Sequence, residues 1–192
     1  MSTRANISIA IKPEDMGTKK QFDAEEQSLI GFCVMKDCDK QYPLRYNKII
    51  KFHKRPEVTL NKPYLSIFSH WDGYPGHIGS VLLERYRCYD DVLNLLLAGD
   101  MESMHYEYID PSYDYFKAVK DEKNAEFCMP TNDDEPLCEH EFSYLFRDDE
   151  WYVKGHDIEE YTLLKEIVAD IILGKRDEYG CVYNNSFVNN EC

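Results

Sequence analysis

Apolar and polar positions alternate along residues 6–12 (NISIAIK), the period of a strand that turns one face to a core. Residues 29–35 (LIGFCVM) form a continuous apolar run, as in a strand buried on both faces, and 48–53 (KIIKFH) reads as a third strand. Between them, 13–27 is polar with Pro13 and Gly17, a loop or short helix, and 54–63 carries two prolines and reads as irregular. Leu65, Ile67 and Phe68 then give residues 64–69 the composition of a buried strand. Asp72-Gly73 and Pro75-Gly76 break that run. Ile78, Val81, Leu82 and Tyr86 resume it at helical spacing. A second helix is predicted over 89–98, with Val92, Leu93, Leu96 and Leu97 inward and Gly99 as its stop.

Further along, 141–146 and 151–154 alternate around Arg147-Asp-Asp-Glu150, a β-hairpin pattern. Asp157 followed by Glu160 resembles an N-terminal capping box. The stripe Leu164, Ile167, Val168 and Ile171 then predicts a helix from 157 to about 173, closed by Gly174. Residues 101–116 show no assignable period, 126–139 reads as a loop, and the polar residues from 175 onward read as a fraying tail. Strands and helices do not alternate regularly. The expected architecture is a single α+β domain over 1–174, mainly an antiparallel sheet with two or three packed helices. It carries an acidic, Tyr-rich insertion at 101–140 and a polar tail at 175–192.

The corner between the 64–69 strand and the helix after it gathers His70, Trp71, Asp72, Tyr74 and His77, set out as a candidate ligand site. A helix starting near His77 would aim unpaired N–H groups at the loop, and Gly76 would let an anion approach. Trp71 and Tyr74 suit a flat, nucleotide-like ligand, and His70 with Asp72 suits its polar edge or acid–base work. The competing reading is a locked turn, with His70 and Asp72 bonded to backbone and the rings packed; the density of polar groups, costly unless satisfied, favours the ligand site. His70, Asp72 and His77, or Cys128, Cys138 and His140, lack paired metal-ligand spacing, so no metal or other cofactor is expected. Ser2 would become an N-terminal nucleophile only if Met1 were removed. No Gly-rich phosphate loop, G-x-S-x-G elbow or H-E-x-x-H helix is present, which argues against the common hydrolases and nucleotide triphosphatases.

Charge changes this picture. The net charge is −14, and it is unevenly placed. Residues 1–100 hold 14 Lys and Arg against 13 Asp and Glu, whereas 101–192 hold 8 against 23. Such a surface repels a phosphate backbone and favours a basic partner. Tyrosine offers large contact area at low entropic cost, so Tyr106, Tyr108, Asp110, Tyr113, Asp114 and Tyr115 form a candidate protein-binding patch. Seven scattered cysteines read as reduced thiols, and neither a secretory leader nor an eighteen-residue apolar run is seen, so a cytoplasmic, membrane-free setting is expected.

The opening MSTRANISI, the HWDGYPG at 70–76, Leu83 and Tyr86, and VLNLLLAGD at 92–100 together resemble a family of small tailed-phage and prophage proteins. The likeness covers residues 1–10 and 64–104, with a weaker echo at 144–152. It brings no catalytic residues. It implies a phage accessory protein in a bacterial host cytoplasm. With the charge, this leads to an expected non-enzymatic inhibitor of a host protein, one that is basic or nucleic-acid-binding, such as a defence enzyme. The alternative is a module that binds or processes a nucleotide-like signal at the corner.

Overall fold

A computed structural model of the protein describes residues 3–23, 57–104, 109–111, 131–132, 136 and 140–183. The strands predicted at 29–35 and 48–53 lie outside these residues. β1 (Ala5–Ala10) is the middle of the fold. It pairs antiparallel with β4 (Tyr64–Ser69) on one side and parallel with β8 (Phe142–Arg147) on the other. β9 (Glu150–Gly155) and β10 (Ile158–Leu163) extend the sheet beyond β8. Beyond β4 lie β5 (Met101–Met104) and β6 (Ile109–Pro111), while the short β7 (Thr131–Asn132) pairs with the other end of β4. A separate two-stranded piece joins β2 (Lys19–Lys20) to β3 (Val58–Thr59).

Alternation along these strands sorts the two faces of the sheet. Ile7, Ile67, Tyr144 and Val153 stand in one cross-strand row, and Ile9, Leu65, Phe146 and Trp151 supply the next. All are buried. The helices cover this face: α1 (Ser80–Arg85), α2 (Tyr89–Leu97) and α3 (Leu164–Ile172) share one hydrophobic core with it. α2 lies over β1 and β4. α3 packs on β9, β10 and the start of α1, where Gly79 admits Leu164 so closely that a Cβ would lie 3.0 Å from its Cδ1. Trp151 Nε1 donates to Tyr86 O at 2.7 Å, tying the end of α1 to β9. Burial of this order stabilises by about 1.5–3 kcal/mol per large apolar side chain. No described helix is long and apolar enough to cross a membrane.

The opposite face of the central strands sets buried polar groups beside apolar ones such as Leu145. Ser8 and Ser66 share a hydrogen bond at 2.9 Å, and Ser143 and Tyr161 share one at 2.8 Å. Asn6, between Ser143 and Phe68 in the register, keeps its Oδ1 without a partner among the described residues.

The α+β class, the antiparallel character of the sheet, the hairpin and the 89–98 helix agree with the sequence reading. The hairpin closes on Asp148 and Asp149, both left-handed (φ 54° and 57°), the pair of conformations a two-residue turn of matching twist requires. Gly99, at φ +82°, ends α2 as expected.

Three expectations are corrected. The helix expected from Asp157 begins only at Leu164, because Gly155 (φ +143°) and His156 (φ 45°) reverse the chain so that 158–163 completes the sheet against β9. A Cβ at Gly155 would lie 2.1 Å from Glu141 O, so that reversal requires glycine. The tail expected to fray at 175 instead folds back through 183. Asp177 Oδ1 accepts from Tyr179 N and Cys181 N, Gly180 takes φ +83°, and Arg176 bridges to Val182. Within the stretches read as loop or left unassigned, 58–59, 101–104, 109–111 and 131–132 are short strands.

Candidate functional site

The 70–77 corner is where four parts of the chain meet. Ser69 ends β4 opposite Met101, and His70 N donates to Met101 O at 3.0 Å. Asp72 takes the left-handed conformation (φ 58°) and swings the chain back across the end of β1. There Gly73 N donates to Thr3 O at 2.9 Å, and the fully buried Tyr144 hydroxyl donates to Gly73 O at 2.8 Å. A Cβ on Gly73 would sit 2.8 Å from both Ala5 Cβ and Arg4 C, so only glycine allows the loop this close to β1. Burial pushes the Tyr144 phenol well above its ordinary pKa, which keeps it a neutral donor.

The turn after Tyr74 is a wide π-type turn over Pro75–Gly79, two residues earlier than the start expected at His77. Pro75 occupies the first helical position, where its missing N–H costs nothing. The amide offered here for an anion is already taken: Gly76 N donates to Glu178 O at 2.9 Å, and a Cβ on Gly76 would lie 3.0 Å from that oxygen. The close approach that glycine permits is used by the protein's own returning segment.

The five candidate residues divide into two groups. His70 stands edge-on to Trp71 (ring centroids 4.7 Å apart) and to Phe68 (5.7 Å), and Phe68 in turn lies 4.6 Å from the His140 ring. Trp71 remains 45% exposed. Tyr74 turns instead toward His77 (5.9 Å) and Tyr179 (5.1 Å). Its pKa is raised by burial first, then by the charges of Glu178 and Asp72, so the Asp72 carboxylate acts on this second group. His77 Nε2 meets Met104 O at 2.9 Å, joining the turn to β5. His70, Asp72 and His77 make no metal-ligand cluster, and none of three or more such groups exists among the described residues. The thiols of Cys88 and Cys181 are both pushed up by burial, the opposite of an activated nucleophile.

Of the acidic tyrosine patch, Tyr106, Tyr108, Tyr113, Asp114 and Tyr115 lie outside the described residues, as do Ser2, Cys128 and Cys138. Asp110 falls in β6, opposite Ser103. The sequence reading missed Gly73, Tyr144, Glu178 and Tyr179 as partners of the corner. A buried tyrosine in an alternating strand and a polar segment after a helix give no sign of meeting there.

A second surface was also missed. α3 ends in Ile172 and Leu173, exposed at 79 and 66%, and the returning segment adds Val182 and Tyr183 at 55 and 56%. Tyr183 N donates to Lys175 O, so these side chains belong to one small lobe. Lys175 and Arg176, the nearest cations, are both drawn to Asp170, at 3.0 and 3.7 Å. Seven acids stand against three bases between residues 157 and 183.

Comparison of the chain with protein-family models, curated proteins and solved structures gives no match.

Proposed function

We propose that this is a phage accessory protein that works by binding, and that it occupies and inhibits a basic, nucleic-acid-handling host protein through the acidic half of its chain. The observation that carries the reading is the lobe at 172–183. Four large apolar side chains stand in solvent on a surface whose local cations are already neutralised. Exposed apolar clusters rimmed by charge are characteristic of protein interfaces, and the excess of acid selects a basic partner. Tyr106, Tyr108, Asp110, Tyr113, Asp114 and Tyr115 extend the proposed contact along the same acidic half. The corner supports this reading from the other side, since its Gly76 amide, Gly73 amide and Tyr144 hydroxyl are bonded within the fold.

The test is affinity capture from the bacterial host across a salt series, repeated with Ile172→Ser/Leu173→Ser and with Asp110→Lys/Asp114→Lys. A stoichiometric, salt-sensitive partner lost in both variants supports the proposal. A partner retained by both places the contact elsewhere.

A second reading rests on Trp71. Its exposed ring stands against His70, which in turn meets Phe68, and suits stacking of a nucleotide-like ligand. A small mass that co-purifies with the wild type and is lost in Trp71→Ala or His70→Ala favours that alternative.

A further inference from the structure

The second group of the 70–77 corner stands against the segment that returns after α3, and two tyrosines meet there. The Tyr74 and Tyr179 ring centroids lie 5.1 Å apart, with the ring planes inclined at 45°. Rings so inclined form a shallow V rather than a stack. Both are only half-buried, and His77 backs Tyr74 at 5.9 Å while tied to Met104 O. Backbone geometry fixes the two sides of the V. The left-handed Asp72 and Pro75 set the course of the chain on either side of Tyr74. Opposite, Tyr179 N donates to Asp177 Oδ1 at 3.0 Å, and Glu178 O accepts from Gly76 N at 2.9 Å. The pair is thus assembled by the fold, with no ordering left for a ligand to supply.

The formal charges around the V share one sign. Residues 72–79 and 177–182 contain Asp72, Asp177 and Glu178 and no Lys or Arg. Asp177 is spent on the amides of Tyr179 and Cys181. Asp72 and Glu178 make no ion pair among the described residues. Arg176, the nearest cation along the chain, donates to Gly180 O at 2.6 Å and leans on Asp170 at 3.7 Å. Burial raises the Tyr74 and Tyr179 phenols, and the charges of Glu178 and Asp72 push each of them further the same way, so both carboxylates act on both rings. The face of an aromatic ring attracts a cation, and a neighbouring carboxylate adds to that attraction.

We propose that the Tyr74–Tyr179 pair, with Asp72 and Glu178 beside it, binds an alkylammonium group. The cation sits over the open side of the V, within about 6 Å of both ring centroids, and its carbon atoms pack on the ring faces. A free organic amine and a lysine side chain supply the same chemistry. The site is separate from the Trp71 group, and the protein-binding surface proposed above does not depend on it.

The experiment is an amide NMR titration of the full chain with choline, with Nα-acetyl-lysine amide and, as the uncharged isostere of choline, with 3,3-dimethylbutanol. Saturable shifts at Asp72, Tyr74, Glu178 and Tyr179 with either cation, absent with the isostere, establish the site. They should weaken about fivefold in Asp72→Asn/Glu178→Gln and vanish in Tyr179→Leu. A response to choline alone identifies a free alkylated amine, and one to the lysine derivative alone identifies a protein side chain. No saturable shift at tens of millimolar ligand, an equal response to the isostere, or shifts unchanged in Asp72→Asn/Glu178→Gln overturns the proposal. That double variant keeps the fold, because Asn accepts the left-handed conformation of Asp72 and Gln retains the carbonyl that Gly76 N contacts.

Discussion

Replacing Tyr144 by Phe removes one oxygen and tests whether the corner is truly locked to the sheet. The ring stays in place among Gly79, Phe142 and the rest of the core, so the change leaves a gap smaller than a methyl group. What changes is Gly73 O, which loses its 2.8 Å donor in a site where both residues are buried. An unpaired buried carbonyl costs about 1–3 kcal/mol, and taking ~2 kcal/mol is reasonable for one fully enclosed bond. For a chain of this length that corresponds to a fall in Tm of about 4–8 °C. With a urea m-value of ~2–3 kcal/mol/M it corresponds to a midpoint lower by about 0.7–1 M. The measurement is urea unfolding followed by tryptophan fluorescence in a Trp71→Phe background, which leaves the buried Trp151 as the single reporter. A midpoint shift under about 0.2 M with unchanged m would show that water already reaches Gly73 O, and the clamp would be refuted. Gly73→Ala attacks the same contact from the backbone, where Ala5 and Arg4 cannot yield, and is expected to cost about 3 kcal/mol. The two substitutions together should cost less than their sum, because each breaks the same contact.

Asn6→Val replaces a buried amide whose Oδ1 is unpaired with a β-branched apolar residue in a central strand. A gain of about 1 kcal/mol by the same assay is expected, and a loss of that size would reveal a partner for Oδ1. Asp149→Gly relieves the left-handed conformation at φ 57° and should stabilise the hairpin by roughly 0.5 kcal/mol, read as slower amide exchange across β8 and β9. Alkaline pH should unfold the protein in a defined window. Burial raises the Tyr86 and Tyr144 phenols and pushes Tyr89 up to about 12, so the folded state holds protons that the unfolded chain releases near pH 10. Stability is therefore intact below about pH 10 and falls as pH climbs from there toward 12 and beyond. Absorbance at 295 nm should show these phenols ionising together with loss of circular dichroism; all 15 tyrosines titrating in one wave with the fold intact would contradict it.

What the sequence disclosed follows the length and period of each element. β1, β4, β8, β9 and α2 announce themselves because each carries enough residues at period 2 or 3.6 to distinguish strand from helix. β10 was concealed by its own chemistry. Asp157 and Glu160 match a capping box, yet the decisive residues are Gly155 and His156 just before them, whose positive φ sets the chain on a path no helix can follow. Two-residue strands such as β3 and β7 are too short to carry any period. The segment 175–183 is ordered by one aspartate bonding two backbone amides and by a tyrosine reaching Tyr74, interactions that polar composition does not reveal.

The 70–77 corner illustrates why a dense polar motif at a strand–helix junction is ambiguous until its backbone hydrogen bonds are followed. Five chemically capable side chains in eight residues suggested one site. The structure separates them, because a left-handed Asp72 and a wide turn at Pro75 send His70 with Trp71 one way and Tyr74 with His77 another. The glycines between them carry the more demanding geometry: Gly73 fits against β1 at a spacing that a side chain would violate, and Gly76 fits against Glu178 where a Cβ would make that segment give by a few tenths of an ångström. By this means one loop fastens the start of β1, the buried end of Tyr144, the edge at Met104 and the returning segment after α3. The lobe that presents Ile172, Leu173, Val182 and Tyr183 is anchored through that last attachment, since Glu178 lies within it. Substituting Gly76 should therefore loosen a surface formed by other residues. On this argument the motif serves recognition indirectly, by holding rigid a face that it does not itself line.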